Sequence, residues 1–166
     1  LQHYAEQLLN PTFATVIKSI EEEIQQSEFR SPYQKLLVNI LFTSSWLSAE
    51  QNKILKPYRL SMQQYNVLRI LRGQHPEPAS ITLLTERMLD KNSNASRLVD
   101  KLRLKELVEC TTSKTDRRQK DVIISERGLQ LLAQLDDSVL QFEHRFKTLS
   151  EEEANVLSGL LDKLRQ

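Results

Sequence analysis

Cysteine, glycine and histidine are scarce in this sequence, and each scarcity excludes a class of function. The single Cys110 cannot form an intramolecular disulfide, which fits a reducing compartment such as the cytoplasm. Only three glycines occur, none in a phosphate-binding loop, and no serine nucleophile motif is present, so we do not expect an enzyme. His3, His75 and His144 lie far apart, without the paired spacing of a zinc site. No metal ion and no cofactor are predicted.

Long apolar runs are also missing. Because no stretch of 18 apolar residues occurs, no transmembrane helix is predicted. Residues 1–9, LQHYAEQLL, lack a basic segment followed by an apolar core, so no signal peptide is expected. With 39% hydrophobic residues, five prolines and long helical periodicities, the 166 residues indicate a mainly helical chain with one sizeable core. We expect a cytoplasmic protein that does not contact membranes.

The most informative stretch is residues 80–128, which predicts two helices joined by a turn and then a two-stranded hairpin. Residues 92–105 carry one apolar stripe at helical spacing, formed by Ala95, Leu98, Val99 and Leu102. The other face carries short polar side chains and long cations: Ser93, Asn94, Ser96, Arg97 and Lys101. Such a face suits a helix that reads base edges in a DNA major groove, although a solvated helix has the same pattern.

The hairpin favours the DNA interpretation. Residues 107–112 and 121–125 are rich in β-branched side chains and predict its two strands. The connecting loop and its edges carry Lys114, Asp116, Arg117, Arg118 and Lys120. Residues 97–120 contain eight Lys/Arg against four Asp/Glu, a net charge of +4 in a chain whose formal net charge is +1. A cationic edge on a nearly neutral chain predicts a polyanionic partner.

The helices around this stretch have recognisable starts. Ser61 and Gln64 form a capping box, and Ser80 is the expected N-cap of a supporting helix over residues 81–88. A helix between Pro32 and Pro57 is apolar around most of its circumference and is expected to be buried on several sides, as in the core of a dimer.

The two ends of the chain are acidic and carry apolar stripes. In the N-terminal segment the stripe is Phe13, Val16, Ile17, Ile20 and Ile24. After the hairpin we predict a helix over residues 128–149 with Leu132, Leu135, Val139, Phe142 and Phe146 on one side. A second capping box, Ser150 with Glu153, opens a last helix that is expected to bury Val156, Leu157, Leu160, Leu161 and Leu164. We assign residues 1–60 and 127–166 to dimerisation and residues 61–126 to nucleic-acid binding.

Two segments resemble the winged helix-turn-helix of the MarR transcriptional regulators. They are RLVDKLRLKELVE, residues 97–109, and TDRRQKDVIISERG, residues 115–128. The family has RLVDRLEEKGLV, then D-x-R in the wing, here Asp116 to Arg118, then L-T-x-x-G, which ends here at Gly128. The chain departs from the family twice, since Leu89-Asp90 replaces a frequent Gly-Leu and Glu106 replaces a frequent glycine.

The resemblance implies a mainly α fold with a small β-hairpin wing, and a homodimer that binds a pseudo-palindromic promoter site in double-stranded DNA as a repressor. Two recognition helices would enter successive major grooves, about 34–36 Å apart. The resemblance places Arg118 in the minor groove with Asp116 fixing it, and Lys114 and Arg117 on phosphates. Lys101 is expected on a phosphate as well.

The resemblance also implies a small phenolic or aromatic effector. Aromatic residues available to line its cleft are Phe42, Trp46, Tyr58, Tyr65 and Phe142, although the pattern favours an ordinary core position for each. Two other functions stay open. One is a winged-helix module that binds acidic protein surfaces. The other is a metal or redox sensor on the same fold, using Glu143-His144 or Cys110.

Overall fold

The structure is a computed structural model and describes residues 18–112 and 120–166. It divides into two compact units, Leu1–Ala49 and Glu50–Gln166. The elements in chain order are α1 (Ile20–Ile24), α2 (Pro32–Leu55), a 3₁₀ turn (Lys56–Tyr58), α3 (Met62–Gln74), β1 (Ala79–Ser80), α4 (Ile81–Arg87), α5 (Ala95–Leu104), β2 (Val108–Thr112), β3 (Lys120–Ile124), α6 (Glu126–His144), a second 3₁₀ turn (Arg145–Thr148) and α7 (Glu151–Leu164).

The first unit contains α1 and most of α2. A capping box starts α1, because the Ser19 hydroxyl accepts the Glu22 N–H and the Glu22 carboxylate accepts the Ser19 N–H. Ile20 is buried, while Phe13, Val16 and Ile17 of the predicted stripe lie outside the described residues.

Helix α2 has the predicted extent, but most of its apolar side chains are exposed in the single chain. Only its last residue, Leu55, is buried. The exposed large side chains are Tyr33, Leu36, Leu37, Leu41, Phe42 and Trp46. One copy of the chain therefore does not bury this helix on several sides, and its burial in a dimer core stays a prediction.

The core of the second unit lies beneath the helix-turn-helix. Leu84 of α4, Val99 and Leu102 of α5, and Leu132 and Leu135 of α6 are at most 1% exposed. The predicted stripe of α5 is confirmed, since Ala95 is also buried and Leu98 packs partly buried against the same cluster. Burial of this kind fixes how deeply α5 sits on its supporting helices.

The wing sheet has three strands where the sequence predicts two. Its order is β1-β3-β2, with both neighbouring pairs antiparallel. Val122 of β3 lies opposite Ala79 of β1 on one side and Cys110 of β2 on the other. A two-residue strand shows no periodicity, so β1 is not detectable from the sequence pattern.

Helix α7 begins as predicted, whereas α6 begins two residues before the predicted residue 128 and ends at His144 rather than at residue 149. The Ser125 hydroxyl caps α6, and the Ser150–Glu153 box caps α7. Phe142 is buried, but Phe146, which the pattern places on the same side, is 43% exposed beyond the end of α6. The apolar face of α7 is exposed as well, so its predicted burial is wrong within one chain: Val156, Leu157, Leu160 and Leu164. None of the described helices is long and apolar enough to cross a membrane.

Glu106 occupies a backbone conformation that favours glycine. It follows the end of α5 with a φ of 59°, and its N–H donates to the Arg103 carbonyl at 2.9 Å. The next N–H, of Leu107, donates to the Leu102 carbonyl at 3.0 Å. This pair of bonds is the Schellman ending of a helix, which most often has glycine at the left-handed position.

We expect Glu106→Gly to raise the free energy of unfolding by about 1 kcal/mol, because it removes the strain of a left-handed β-carbon. The exposed ion pair between Glu106 and Arg127 is lost, but exposed pairs contribute little. Urea denaturation measures the change. Glu106→Ala is the matched control, since it removes the same ion pair and keeps the strain. A glycine variant no more stable than the alanine variant would contradict the assignment.

Candidate nucleic-acid interface

The recognition helix begins three residues later than the sequence predicts. Helix α5 starts at Ala95, and Asn94 is its N-cap, with the side-chain oxygen accepting the Arg97 N–H at 3.0 Å. The Ser93 hydroxyl precedes the helix and donates to the Asp90 carboxylate at 2.8 Å. The expectation that Ser93 and Asn94 lie on the outer face of a helix is therefore wrong, because both belong to the turn and cap before it.

Asp90 organises this turn. One carboxylate oxygen accepts the Asn92 N–H at 3.0 Å, and the other accepts the Ser93 hydroxyl. These hydrogen bonds, from Ser93 first and then from Asn92, lower the pKa of Asp90. The turn is thus stabilised above the pKa of an unfolded aspartate, and this contribution is lost as the pH falls through the lowered value.

The outer face of α5 carries side chains available to a ligand. Ser96, Arg97 and Lys101 are all exposed. Within residues 18–112 and 120–166, the Arg97 and Lys101 side chains have no hydrogen bond or ion pair. Exposed cations on the face opposite a buried stripe are accessible to phosphates and base edges.

The wing is described only at its base. Lys114, Asp116, Arg117 and Arg118 lie outside the described residues. Lys120 starts β3, is exposed, and its ammonium lies 3.8 Å from the Asp100 carboxylate of α5. At that distance and exposure the pair is weak. Among the predicted cations of the wing, the structure describes Lys120, which lies beside the recognition helix.

The structure bears on the two alternative sensor functions, oxidation of Cys110 and binding of a metal ion. Burial raises the pKa of the half-buried Cys110 thiol, although the Lys120 and Arg103 cations act in the opposite direction. A raised pKa lowers the thiolate fraction on which oxidation depends. Among the residues that the structure describes, no three His, Cys, Asp or Glu side chains cluster in a way that would hold a metal ion.

The candidate effector residues are distributed over different cavities. Tyr58 lines an open cleft of about 520 Å³ in the second unit, whose other lining residues are Arg59, Lys105, Leu107, Arg127, Gln130, Leu131 and Gln134. Tyr65 and Phe142 line a separate apolar cavity of about 30 Å³. In the first unit, Phe42 lines a shallow surface pocket, and Trp46 is 38% exposed. The larger cleft has three cations and no carboxylate among its lining residues.

Sequence reasoning missed three side chains that hold the recognition helix. The Asn66 side-chain oxygen accepts the Leu89 N–H at 2.9 Å. The Lys105 ammonium donates to the Gln64 side-chain oxygen at 3.1 Å and to the Arg59 carbonyl at 2.5 Å. The capping box identified Gln64 as a helix start only, and no local pattern indicates that Asn66 or Lys105 has a distant partner.

Helices α4 and α5 are joined by a turn and followed by β2 and β3, which form the wing sheet together with β1. These elements define a winged helix-turn-helix protein with an exposed cationic recognition helix. That is the architecture of DNA-binding transcription regulators. The chain belongs to the MarR family. The model described as MarR family matches residues 60–120, which include the helix-turn-helix and β2 and end at the first residue of β3.

Solved structures agree with this assignment. A MarR transcription factor from Planctomyces limnophilus is 31% identical, with a TM-score of 0.63 over 81% of this chain and 98% of that one. The S. aureus MepR–DNA complex is 19% identical, with a TM-score of 0.71 over 82% of this chain and 97% of that one. The organohalide-sensing regulator RdhR-CbdbA1625, bound to 2,4-dichlorophenol, is 21% identical, with a TM-score of 0.71 over 86% and 83%. The last two show similarity of fold.

Proposed function

We propose that this protein represses transcription as a homodimer bound to a pseudo-palindromic promoter site, and that a small aromatic ligand releases it. The observation that carries the DNA-binding role is the outer face of α5, where the Arg97 and Lys101 side chains are exposed and have no partner among the described residues. The MepR structure was solved with DNA, on the same fold.

In this proposal the residues of the interface have different roles. Arg97 and Ser96, near the start of α5, reach base edges, while Lys101, one turn further on, binds a phosphate. Asn94 and Ser93 present their remaining hydrogen-bonding groups from the turn, since each already makes one bond within the protein. In the wing, Arg118 enters the minor groove, Asp116 fixes it, and Lys114, Arg117 and Lys120 bind flanking phosphates.

The homodimer accounts for two apolar faces that a single copy leaves exposed. On α7, Val156, Leu160 and Leu164 are each 57–58% exposed. On α2, Leu37 and Leu41 are 57% and 62% exposed. Apolar rows of this kind on regular helices commonly mark protein–protein contacts. We therefore keep the assignment of the N- and C-terminal helices to dimerisation.

The effector would bind in the cleft beside Tyr58. Its volume of about 520 Å³ lies within the range of small-molecule sites. Arg59 and Lys105 would attract an aromatic ligand that carries a phenolate or a carboxylate, whereas Arg127 already pairs with Glu106. A ligand releases DNA only if it binds the unbound arrangement of the recognition helices more tightly. The similar fold of a regulator bound to dichlorophenol supports a phenolic compound as the first probe.

Selection from a random duplex library, followed by affinity measurements against salt, tests the proposal. We expect a palindromic motif bound at about 10⁻⁸ M or tighter, with a steep salt dependence. Weak binding without an enriched motif would favour a protein-interaction module, and recovery of binding by metal or reductant would favour a sensor. Release of the selected complex by 2,4-dichlorophenol, but not by cyclohexanol, would support the effector.

Two substitutions distinguish a side chain that contacts bases from one that contacts a phosphate. Arg97→Ala is expected to cost about 1–3 kcal/mol on the selected site and to relax the base preference there. Lys101→Ala is expected to weaken all duplexes similarly and to lower the salt slope by about one. Repeating the selection and the salt titration with both variants measures this. An Arg97→Ala protein that keeps the wild-type motif would show that another residue reads it.

A further inference from the structure

Helix α3 holds the recognition helix at both ends through side-chain amides two residues apart. Asn66 accepts the N–H of Leu89, in the turn before α5, and Gln64 accepts the ammonium of Lys105, the residue that ends α5. Leu89 and Lys105 lie 23 and 41 residues away from their partners in sequence. One short stretch of α3 therefore contacts the beginning and the end of the DNA-reading element.

At the N-terminal end, the hydrogen bonds form a continuous series. The Asn66 side chain accepts the Leu89 N–H. The next residue, Asp90, accepts the Asn92 N–H and the Ser93 hydroxyl, and Asn94 caps α5. The Gln63 side chain also contributes to the lowered pKa of Asp90, after Ser93 and Asn92. The turn contains no glycine. Its conformation therefore depends on these side-chain hydrogen bonds and not on the conformational freedom of a glycine.

At the C-terminal end, the attachment is partly buried. Gln64 is 5% exposed, and its oxygen accepts both the Ser61 N–H at 3.2 Å and the Lys105 ammonium. The Lys105 ammonium also donates to the carbonyl of Arg59, a residue whose φ is 54°. Burial lowers the pKa of Lys105, and so do the nearby Lys101 and Arg59 cations. A half-buried cation in this setting depends on its two oxygen acceptors.

These hydrogen bonds fix the orientation of α5, which apolar packing alone does not fix. Packing of Val99 and Leu102 against the supporting helices is non-directional and tolerates small rotations of α5. Base readout requires placement within about 0.5 Å and 10–20°. Hydrogen bonds at both ends of a helix restrict its rotation and its sliding, because each bond is directional.

We infer that Asn66 and Gln64 are positioning residues that set the angle of the recognition helix. The inference rests on the proposed DNA binding. Removing either acceptor leaves the apolar core and the cationic face intact but loosens one end of α5, and removal of the Gln64 oxygen also breaks its hydrogen bond to the Ser61 N–H at the start of α3. Specific binding therefore falls, whereas binding to unrelated duplex DNA, which depends on charge alone, is retained.

The test compares affinities for the selected site and for an unrelated duplex at one salt concentration. Asn66→Ala and Gln64→Met should each weaken the selected site about tenfold, and change the unrelated duplex by less than about twofold. Asn66→Asp and Gln64→Glu keep the accepting oxygen and should restore most of the affinity. Asn155→Ala, on the exposed surface of α7, is the control for loss of an amide. Equal losses on both duplexes, or no rescue, would overturn the inference.

A second measurement does not depend on DNA. Hydrogen exchange at the Leu89 amide should be slow in the wild type and should accelerate in Asn66→Ala but not in Asn66→Asp, at unchanged global stability. If the wild type selects no motif, the proposed function fails, and exchange alone decides whether the attachment exists. Unchanged exchange in Asn66→Ala would overturn it.

Discussion

Gly128→Ala is expected to lower the free energy of unfolding by about 3 kcal/mol. A β-carbon at this position would lie 2.3 Å from the Leu107 carbonyl oxygen and 2.7 Å from Cγ1 of Ile124. The Leu107 carbonyl cannot move freely, since it accepts the Ser125 N–H at 3.1 Å. The first turn of α6 therefore approaches the base of the wing more closely than any side chain allows.

The matched control is Gly73→Ala. Gly73 lies in α3, and a β-carbon there meets no atom within 4 Å. Because alanine is the better helix former, this variant should gain up to about 1 kcal/mol. Urea denaturation of both variants at one protein concentration measures the difference, since the stability of an oligomer depends on concentration. Equal stabilities would show that the contact between α6 and the wing relaxes at little cost.

Leu160→Asp is expected to convert the proposed dimer to monomers and to weaken binding to a full palindrome about a hundredfold or more. Leu160 is 58% exposed in the single chain, at the centre of the apolar face of α7. If a second copy covers that face, a carboxylate there is desolvated without a partner, which costs several kcal/mol. Binding then falls because two linked half-site contacts become independent.

Sedimentation at micromolar concentration and titration of the full and half palindromes measure both effects. Asn155→Asp is the control, because helical spacing puts residue 155 on the opposite face of α7 and the added charge is the same. It should leave both properties unchanged. A Leu160→Asp protein that remains dimeric would show that this face of α7 is not the interface.

Several features of the fold could be predicted because they depend on residues close in sequence. The capping boxes at Ser61 and Ser150 are confirmed, since the hydroxyl of each and the side chain three residues later complete the box within one turn. The buried stripe of α5 is confirmed as well, because helical periodicity alone places its four apolar residues on one side.

The candidate site was less predictable. The Asp90 carboxylate accepts the Ser93 hydroxyl, which keeps Ser93 in the turn and delays the start of α5. Apolar periodicity does not reveal such a polar contact. The aromatic residues chosen for an effector cleft line separate cavities, because aromatic type reveals nothing about which side chains converge. The roles of the recognition face, the wing cations and the dimer helices stay predictions.

The sequence by itself determined the approximate positions of the main helices, the order of helix-turn-helix and wing, the cationic middle of the chain and the resemblance to the MarR family. Each of these follows from local spacing, local charge or a short motif. Only the tertiary structure decided that Glu106 adopts a left-handed conformation, that β1 joins the wing, and that Asn66 and Gln64 hold the two ends of α5. These features join residues that lie far apart in the chain or depend on the backbone geometry at one position, and composition and periodicity carry no information about either.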